Sequence, residues 1–169
     1  MPIGVEVVTP EGVIFSGGAR ALVAATSEGD LTVMAEHAEL VGDVVPSVVK
    51  IEQLDGDLLD VIVHGGYLQI HTAQGAATDL IEEATDEERT TRVTLLAGEA
   101  ELLSDVDLAH VETEMAEITV ALEHLRSVTS GKGPEDEGVR EAEFELNRAE
   151  ARLNRAELRK MAVNAKKGS

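Results

Sequence analysis

"SDVDLAHVETEMAEITVALEHLR", residues 104–126, is where the pattern of this chain changes from one period to another. Within it Leu108, Val111, Met115, Ile118, Leu122 and Leu125 recur at alternating spacings of three and four. A helix completes a turn in 3.6 residues, so those spacings gather on one face. The stripe is narrow and flanked by Glu112, Glu114, Glu117 and Glu123, which marks a helix packed along a single seam. Ser104, with Asp107 three residues on, fits a variant of the capping box and predicts a helix over about residues 105–127.

Reading forward, "VTSGKGPEDEGVR" (128–140) carries the Gly and Pro that end a helix. A second helix is expected from about 141 to 162, with Leu146, Ala149, Leu153 and Ala156 as its seam. Two seams joined by a loop describe an antiparallel helical hairpin over residues 104–169. The second helix contains "LNRAEARLNRAELRK" (146–160), in which LNRAE returns after seven residues. The repeat sets Arg148, Arg152, Arg155 and Arg159 on one stripe, where like charges repel. Two readings of that stripe stand side by side. It pairs with Glu112, Glu114 or Glu117 of the first helix, each exposed pair contributing about 0–1 kcal/mol, or it meets an acidic protein loop or a nucleotide.

Reading backward, the text up to about residue 103 breaks into short runs rich in Val, Ile and Leu. They are VEVVT (5–9), VIF (13–15), RALVAAT (20–26), VVKIEQL (48–54), LLDVIVH (58–64), YLQIH (67–71) and RVTLLA (92–97). Turn residues separate them: Pro10-Glu11-Gly12, Gly17-Gly18, Glu28-Gly29-Asp30, Asp55-Gly56-Asp57 and Gly65-Gly66. EGDLTV (28–33) reads as a turn. Residues 76–91 read as an acidic surface excursion between two strands. Many short strands at this spacing argue for an antiparallel β-sandwich over residues 1–103, its core filled by aliphatics because aromatics are scarce. The expected fold is therefore β + α, a sandwich followed by a hairpin.

Charge narrows the function. The 169 residues carry a formal charge of −19, and it is uneven. Residues 141–169 hold seven Lys/Arg against five Asp/Glu, which leaves seven basic and 28 acidic residues before them. Such an acidic body repels phosphate backbones, so no nucleic-acid partner is expected. The absence of cysteine excludes disulfides, thiolate metal sites and cysteine catalysis. No signal peptide is legible at the start, and no apolar run reaches membrane-spanning length. His37, His64 and His71 lack the paired spacing of metal ligands, no phosphate loop is present, and nothing orders Ser, His and Asp into a nucleophile motif. A non-catalytic protein without metal is expected. From these residues alone, a free-standing adaptor that pairs through its hairpin is the competing reading, and a cupin-like enzyme lacks the clustered histidines it needs.

Several stretches, in order, resemble the epsilon subunit of bacterial F-type ATP synthase. TSEGDLTVMAEHAELVGDVVPSVVKI (26–51) is similar to the family's T-x-G-E-[LI]-G-[IV]-x-x-x-H-x-P-L…P-G-x-[VI]-x-I segment. HGGYLQI (64–70) resembles S-G-G-F-L-E-V, and TRVTLLAGEAELLSDVDLAHVE (91–112) resembles the strand-to-helix junction that ends in I-D-x-x-R-A. LNRAEARLNRAEL resembles the second helix. Thr32, Glu39 and Ser47 depart from the pattern at turns.

The resemblance implies a rotor subunit of the central stalk. Its sandwich binds the gamma subunit and sits on the c-ring, with Asp30 and His37 in the segment facing gamma or the c-ring. Its hairpin folds onto the sandwich or extends into the catalytic head, where Arg148, Arg152, Arg155 and Arg159 meet acidic loops of the beta subunits and block hydrolysis. The subunit couples proton flow to ATP synthesis, lies on the cytoplasmic face of the bacterial cell membrane, and touches the membrane only through the c-ring. In some relatives the hairpin binds ATP. The residues matching that site are Glu101, Asp107, Arg148 and Arg152, but the motif's arginine is His110 and its alanine is Val111. Histidine offers at most two donors and is mostly neutral near pH 7, so ATP binding is expected to be weak or absent and no cofactor is required.

Overall fold

The computed structural model describes residues 1–74, 89–129 and 137–168, and divides into two units, Met1–Asp105 and Val106–Ser169. The strands of the first unit are β1 (Ile3–Thr9), β2 (Gly12–Thr26), β3 (Gly29–Val33), β4 (Leu40–Val44), β5 (Ser47–Gln53), β6 (Leu58–Val63), β7 (Gly66–Gln74), β8 (Arg89–Ala97) and β9 (Ala100–Leu102). They pair in the order β4-β7-β8-β1-β2-β5-β6-β9, with β3 added on β2.

Alternation builds the core. Ile3, Val5 and Val7 on β1, Val49 and Ile51 on β5, Leu68 and Ile70 on β7, and Val93 and Leu95 on β8 are all buried. Their neighbours along each strand point the other way, as a period of two requires. β2 is the hinge of the sandwich. Its first half pairs with β1 and its second half with β3 and β5, so one 15-residue strand serves both layers. The amide of Val45 donates to the carbonyl of Ala25 at 3.0 Å, tying the end of β4 to β2.

Three details differ from the sequence reading. Gly17-Gly18 is not a turn: both lie inside β2, opposite Val5 and Gly4. A Cβ at Gly17 would come into ordinary contact with the ring of Phe15, at 3.4 Å. Second, β1 runs parallel to β8, with Val5 opposite Val93, whereas the other pairs are antiparallel. Parallel neighbours need a long connection, and here most of the sandwich lies between them in sequence. Third, β3, β4 and β9 were not legible as strands, being three to five residues long. EGDLTV is not a turn: the turn is Ser27-Glu28, and Gly29–Val33 form β3, with Thr26 Oγ1 donating to the carbonyl of Gly29 at 2.7 Å. Of the acidic excursion, residues 76–88 lie outside the described residues. Its end, Arg89–Thr91, begins β8, and Thr91 is buried.

The β6–β7 junction shows why its glycines are there. Gly65 holds φ 96°, open to glycine at little cost, and a Cβ on Gly66 would lie 2.3 Å from the carbonyl oxygen of Leu96. The pair brings β7 hard against β8.

The second unit is two helices, α1 (Leu108–Thr129) and α2 (Glu137–Lys167), packed on one another. α2 runs past both ends expected from its seam, beginning at Glu137 inside the stretch read as loop, whereas α1 begins at Leu108, three residues later than expected, and ends two residues later, at Thr129. Val111, Ile118 and Leu122 are buried on α1, and Val139, Ala142, Ala156 and Ala162 on α2. Leu108, Met115, Leu125, Leu146, Ala149 and Leu153 complete the two seams, half-buried.

Candidate functional site: the helical hairpin and the sandwich loops

The start of α1 is set by Asp107, not Ser104. Asp107 Oδ1 accepts from the amides of Ala109 at 2.9 Å and His110 at 3.4 Å, and its carbonyl accepts from Val111 at 3.0 Å. That is N-cap geometry, satisfying donors the helix leaves open. Ser104 sits in a 3-10 turn over Leu103–Asp105, and its hydroxyl donates to Asp105 Oδ1.

Three of the four arginines divide between two tasks. Arg152 Nη2 lies 3.3 Å and Arg159 Nη1 3.5 Å from opposite oxygens of Glu114 on α1. One carboxylate thus holds two arginines seven residues apart on the facing helix. Lys160 adds a pair to Glu112 at 3.0 Å, and Arg126 of α1 pairs with Glu150 of α2 at 3.1 Å. Arg148 instead pairs within its own helix, 3.2 Å from Glu145, with its guanidinium 5.8 Å above the ring of Phe144. Arg155 is half-buried. Of the three glutamates expected as partners, Glu114 and Glu112 are used by α2.

These pairs also fix how far apart the ATP-site candidates lie within the hairpin. Lys160 stands level with Glu112, Arg148 lies twelve residues along α2 from Lys160, and Asp107 lies five residues beyond Glu112 in the opposite direction. At 1.5 Å per residue, Asp107 and Arg148 are roughly 25 Å apart along the helix axes. The packed hairpin does not bring them together.

In the sandwich, Glu101 lies on β9 opposite Ile62, with Oε1 3.8 Å from His64 Nε2. The His64 side chain is 5% exposed, and its amide donates to the carbonyl of Glu99. Asp30 is the second residue of β3, and His37 lies four residues beyond the other end of that strand. Asp30 is exposed and pairs with Ala25. His37 lies in the loop between β3 and β4, its amide donating to the carbonyl of Met34 and its Nδ1 2.8 Å from the carbonyl of Ala38. That loop is pinned at two points: Glu36 donates its amide to Thr91 Oγ1 at 2.9 Å, and Glu39 Oε1 accepts from the amide of Thr72 at 3.3 Å. Glu36 holds φ 63°, a left-handed conformation that a non-glycine residue keeps only where its surroundings fix it. Neither Glu36 nor Thr91 was marked by sequence, because the signal is a backbone angle and a contact 55 residues away. Among the described residues, no three His, Cys, Asp or Glu side chains gather as metal ligands, and no helix is long and apolar enough to cross a membrane.

Comparison with known proteins matches this arrangement. The ATP synthase Delta/Epsilon chain beta-sandwich domain matches residues 2–75. The ATP synthase epsilon chain of Polaromonas naphthalenivorans (strain CJ2) is 32% identical over 137 residues, covering 77% of this chain and 98% of the relative. The chain belongs to the ATP synthase epsilon family. As an epsilon chain it is a subunit of ATP synthase and not an enzyme by itself. The epsilon chain of a Nitratiruptor species is 35% identical over 86 residues, 51% of this chain and 65% of that relative. A chain in the structure of Euglena gracilis mitochondrial ATP synthase, OSCP/F1/c-ring in rotational state 1, shares the fold with a TM-score of 0.57. It is 20% identical, and the match covers 96% of this chain and 81% of that one.

Proposed function

We propose that this epsilon chain is a rotor subunit that couples c-ring rotation to ATP synthesis and restrains ATP hydrolysis through its hairpin. The sandwich binds gamma and rests on the c-ring, with Asp30 and His37 in the segment that faces them. The complex lies on the cytoplasmic face of the bacterial membrane, which the subunit reaches only through the c-ring. The hairpin's arginines engage acidic loops of the beta subunits, and ATP is bound weakly or not at all.

The observation that carries the inhibitory reading is the double engagement of Glu114 by Arg152 and Arg159. Arginine forks suit carboxylates, and the same forks fit acidic side chains on another subunit. Glu114 is then an internal competitor for the surface that inhibits. Such an exchange between like partners leaves two arrangements close in energy, as a switch requires. Deleting residues 106–169 from the assembled synthase tests it: hydrolysis is expected to rise, and an unchanged rate would remove the hairpin from regulation.

A further inference from the structure

The inner face of β8 runs Thr91, Val93, Leu95, and only the first of these is polar. Thr91 is 2% exposed, so its hydroxyl needs a partner inside the fold. That partner is the amide of Glu36, 2.9 Å from Oγ1, in the loop between β3 and β4. A valine here would continue the apolar row and lose the bond. Thr72 stands directly opposite Thr91 on β7, and its amide donates to Glu39 Oε1 at 3.3 Å. One cross-strand pair thus holds the loop at both Glu36 and Glu39. A cavity of about 470 Å³ lies beside the loop, lined by Glu36, His37, Ala38, Glu39 and the two threonines. On that side the loop is held by these hydrogen bonds and not by close packing.

Glu36 needs that hold. Its φ of 63° is the one positive value at a non-glycine residue among the described residues. The amide of His37 donates to the carbonyl of Met34 at 3.2 Å, which makes Glu36 third in a four-residue turn. Glycine or asparagine ordinarily supplies a positive φ at that position. The turn leads into the ring of His37, whose Nδ1 lies 2.8 Å from the carbonyl of Ala38. A carbonyl only accepts, so Nδ1 carries the hydrogen, and the neutral ring keeps Nε2 as its acceptor. Backbone angle and ring tautomer are therefore linked: releasing Glu36 frees the chain that sets the Ala38 carbonyl against the ring.

We propose that Thr91 is a positioning residue: through Glu36 it holds the turn that keeps His37 as the Nδ1–H tautomer, with Nε2 an acceptor for a hydrogen-bond donor of the stalk assembly. This rests on the reading that the segment around His37 faces gamma or the c-ring, and adds what fixes its chemistry and which kind of group it takes.

The test compares the full-length chain as wild type, Thr91→Ser, Thr91→Val and Thr91→Val/Glu36→Asn. Serine keeps the hydroxyl, valine removes it at nearly equal size, and asparagine tolerates the left-handed conformation better than glutamate. Nitrogen-15 NMR at pH 8, where imidazole is ordinarily neutral, reads the tautomer of His37, and amide exchange reads Glu36. Wild type and Thr91→Ser are expected to show Nδ1–H. Thr91→Val is expected to mix the tautomers and quicken Glu36 exchange about tenfold, the factor of one lost hydrogen bond, and Glu36→Asn to restore the tautomer. No change in Thr91→Val, or an equal change in Thr91→Ser, would overturn the proposal. The wild-type spectrum is a test that needs no variant, since an Nε2–H ring would overturn it too. Binding to synthase depleted of this subunit separates the two levels. His37→Ala is expected to bind about tenfold more weakly, and Thr91→Val to follow it. Equal binding by His37→Ala and wild type, with the Nδ1–H tautomer present, would remove the reading beneath the proposal. A weakened His37→Ala beside an unchanged Thr91→Val would overturn the positioning role alone.

Discussion

Arg152 on α2 and Glu114 on α1 meet at 3.3 Å although 38 residues separate them in sequence. With Arg159 on the other carboxylate oxygen, Glu114, in the second turn of α1, ties the two helices together and holds half of the arginine stripe. Any state in which the helices part gives up these pairs or replaces them.

Glu114→Gln keeps the shape of the side chain and removes its charge. The ion pairs are partly exposed, so the loss is expected to be about 1 kcal/mol for the helix pair. Hydrogen exchange along α2 in the intact chain should quicken around Arg152 and Arg159, with the sandwich unaffected. Unchanged protection would show that the Glu114 pairs do not hold α2.

Asp107→Ala removes the carboxylate that accepts from Ala109 and His110. A lost N-cap costs about 0.5–2 kcal/mol. Exchange should rise in the first turn of α1, whereas Ser104→Ala should leave that turn unchanged. The reverse ranking would restore Ser104 as the cap.

Gly66→Ala places a methyl against the Leu96 carbonyl, and backbone must shift to admit it. The expected loss is about 1–3 kcal/mol, read as a lower urea midpoint. Gly42→Ala on β4 is the matched comparison, since a Cβ there meets nothing within 4 Å.

The sandwich and the hairpin were both legible in sequence because each rests on a periodic pattern: Leu108 to Leu125 for α1, and Val49-Ile51 for a strand with one face in the core. What escaped was set by partners distant in sequence. The left-handed Glu36 depends on Thr91, and β9 exists because β6 offers an edge. The arginine stripe was legible as a stripe, but its division between Glu114 and Glu145 was not, because helix periodicity fixes the face and not the partner.

ATP binding to the isolated chain is expected to be weaker than micromolar. His110 stands where the family's motif has arginine, and Asp107 is engaged as a cap roughly 25 Å from Arg148 along the hairpin. His110→Arg restores one charge-assisted contact, at most one to two decades of affinity. Titration calorimetry checks this, and micromolar binding by the unaltered chain would refute it.

The most direct measurement is the ATP hydrolysis rate of the assembled synthase carrying a charge series in the hairpin. Arg148, Arg152, Arg155 and Arg159 changed together to Ala should raise hydrolysis, and changed to Glu should raise it further. Glu114→Gln should lower hydrolysis below wild type, because it frees Arg152 and Arg159 for the beta subunits. A shift of about 1 kcal/mol in the switch corresponds to about fivefold in the inhibited population. The opposed directions of the Glu114 and arginine variants would support inhibition by the stripe. Equal rates across the series, or a rise in Glu114→Gln, would contradict it.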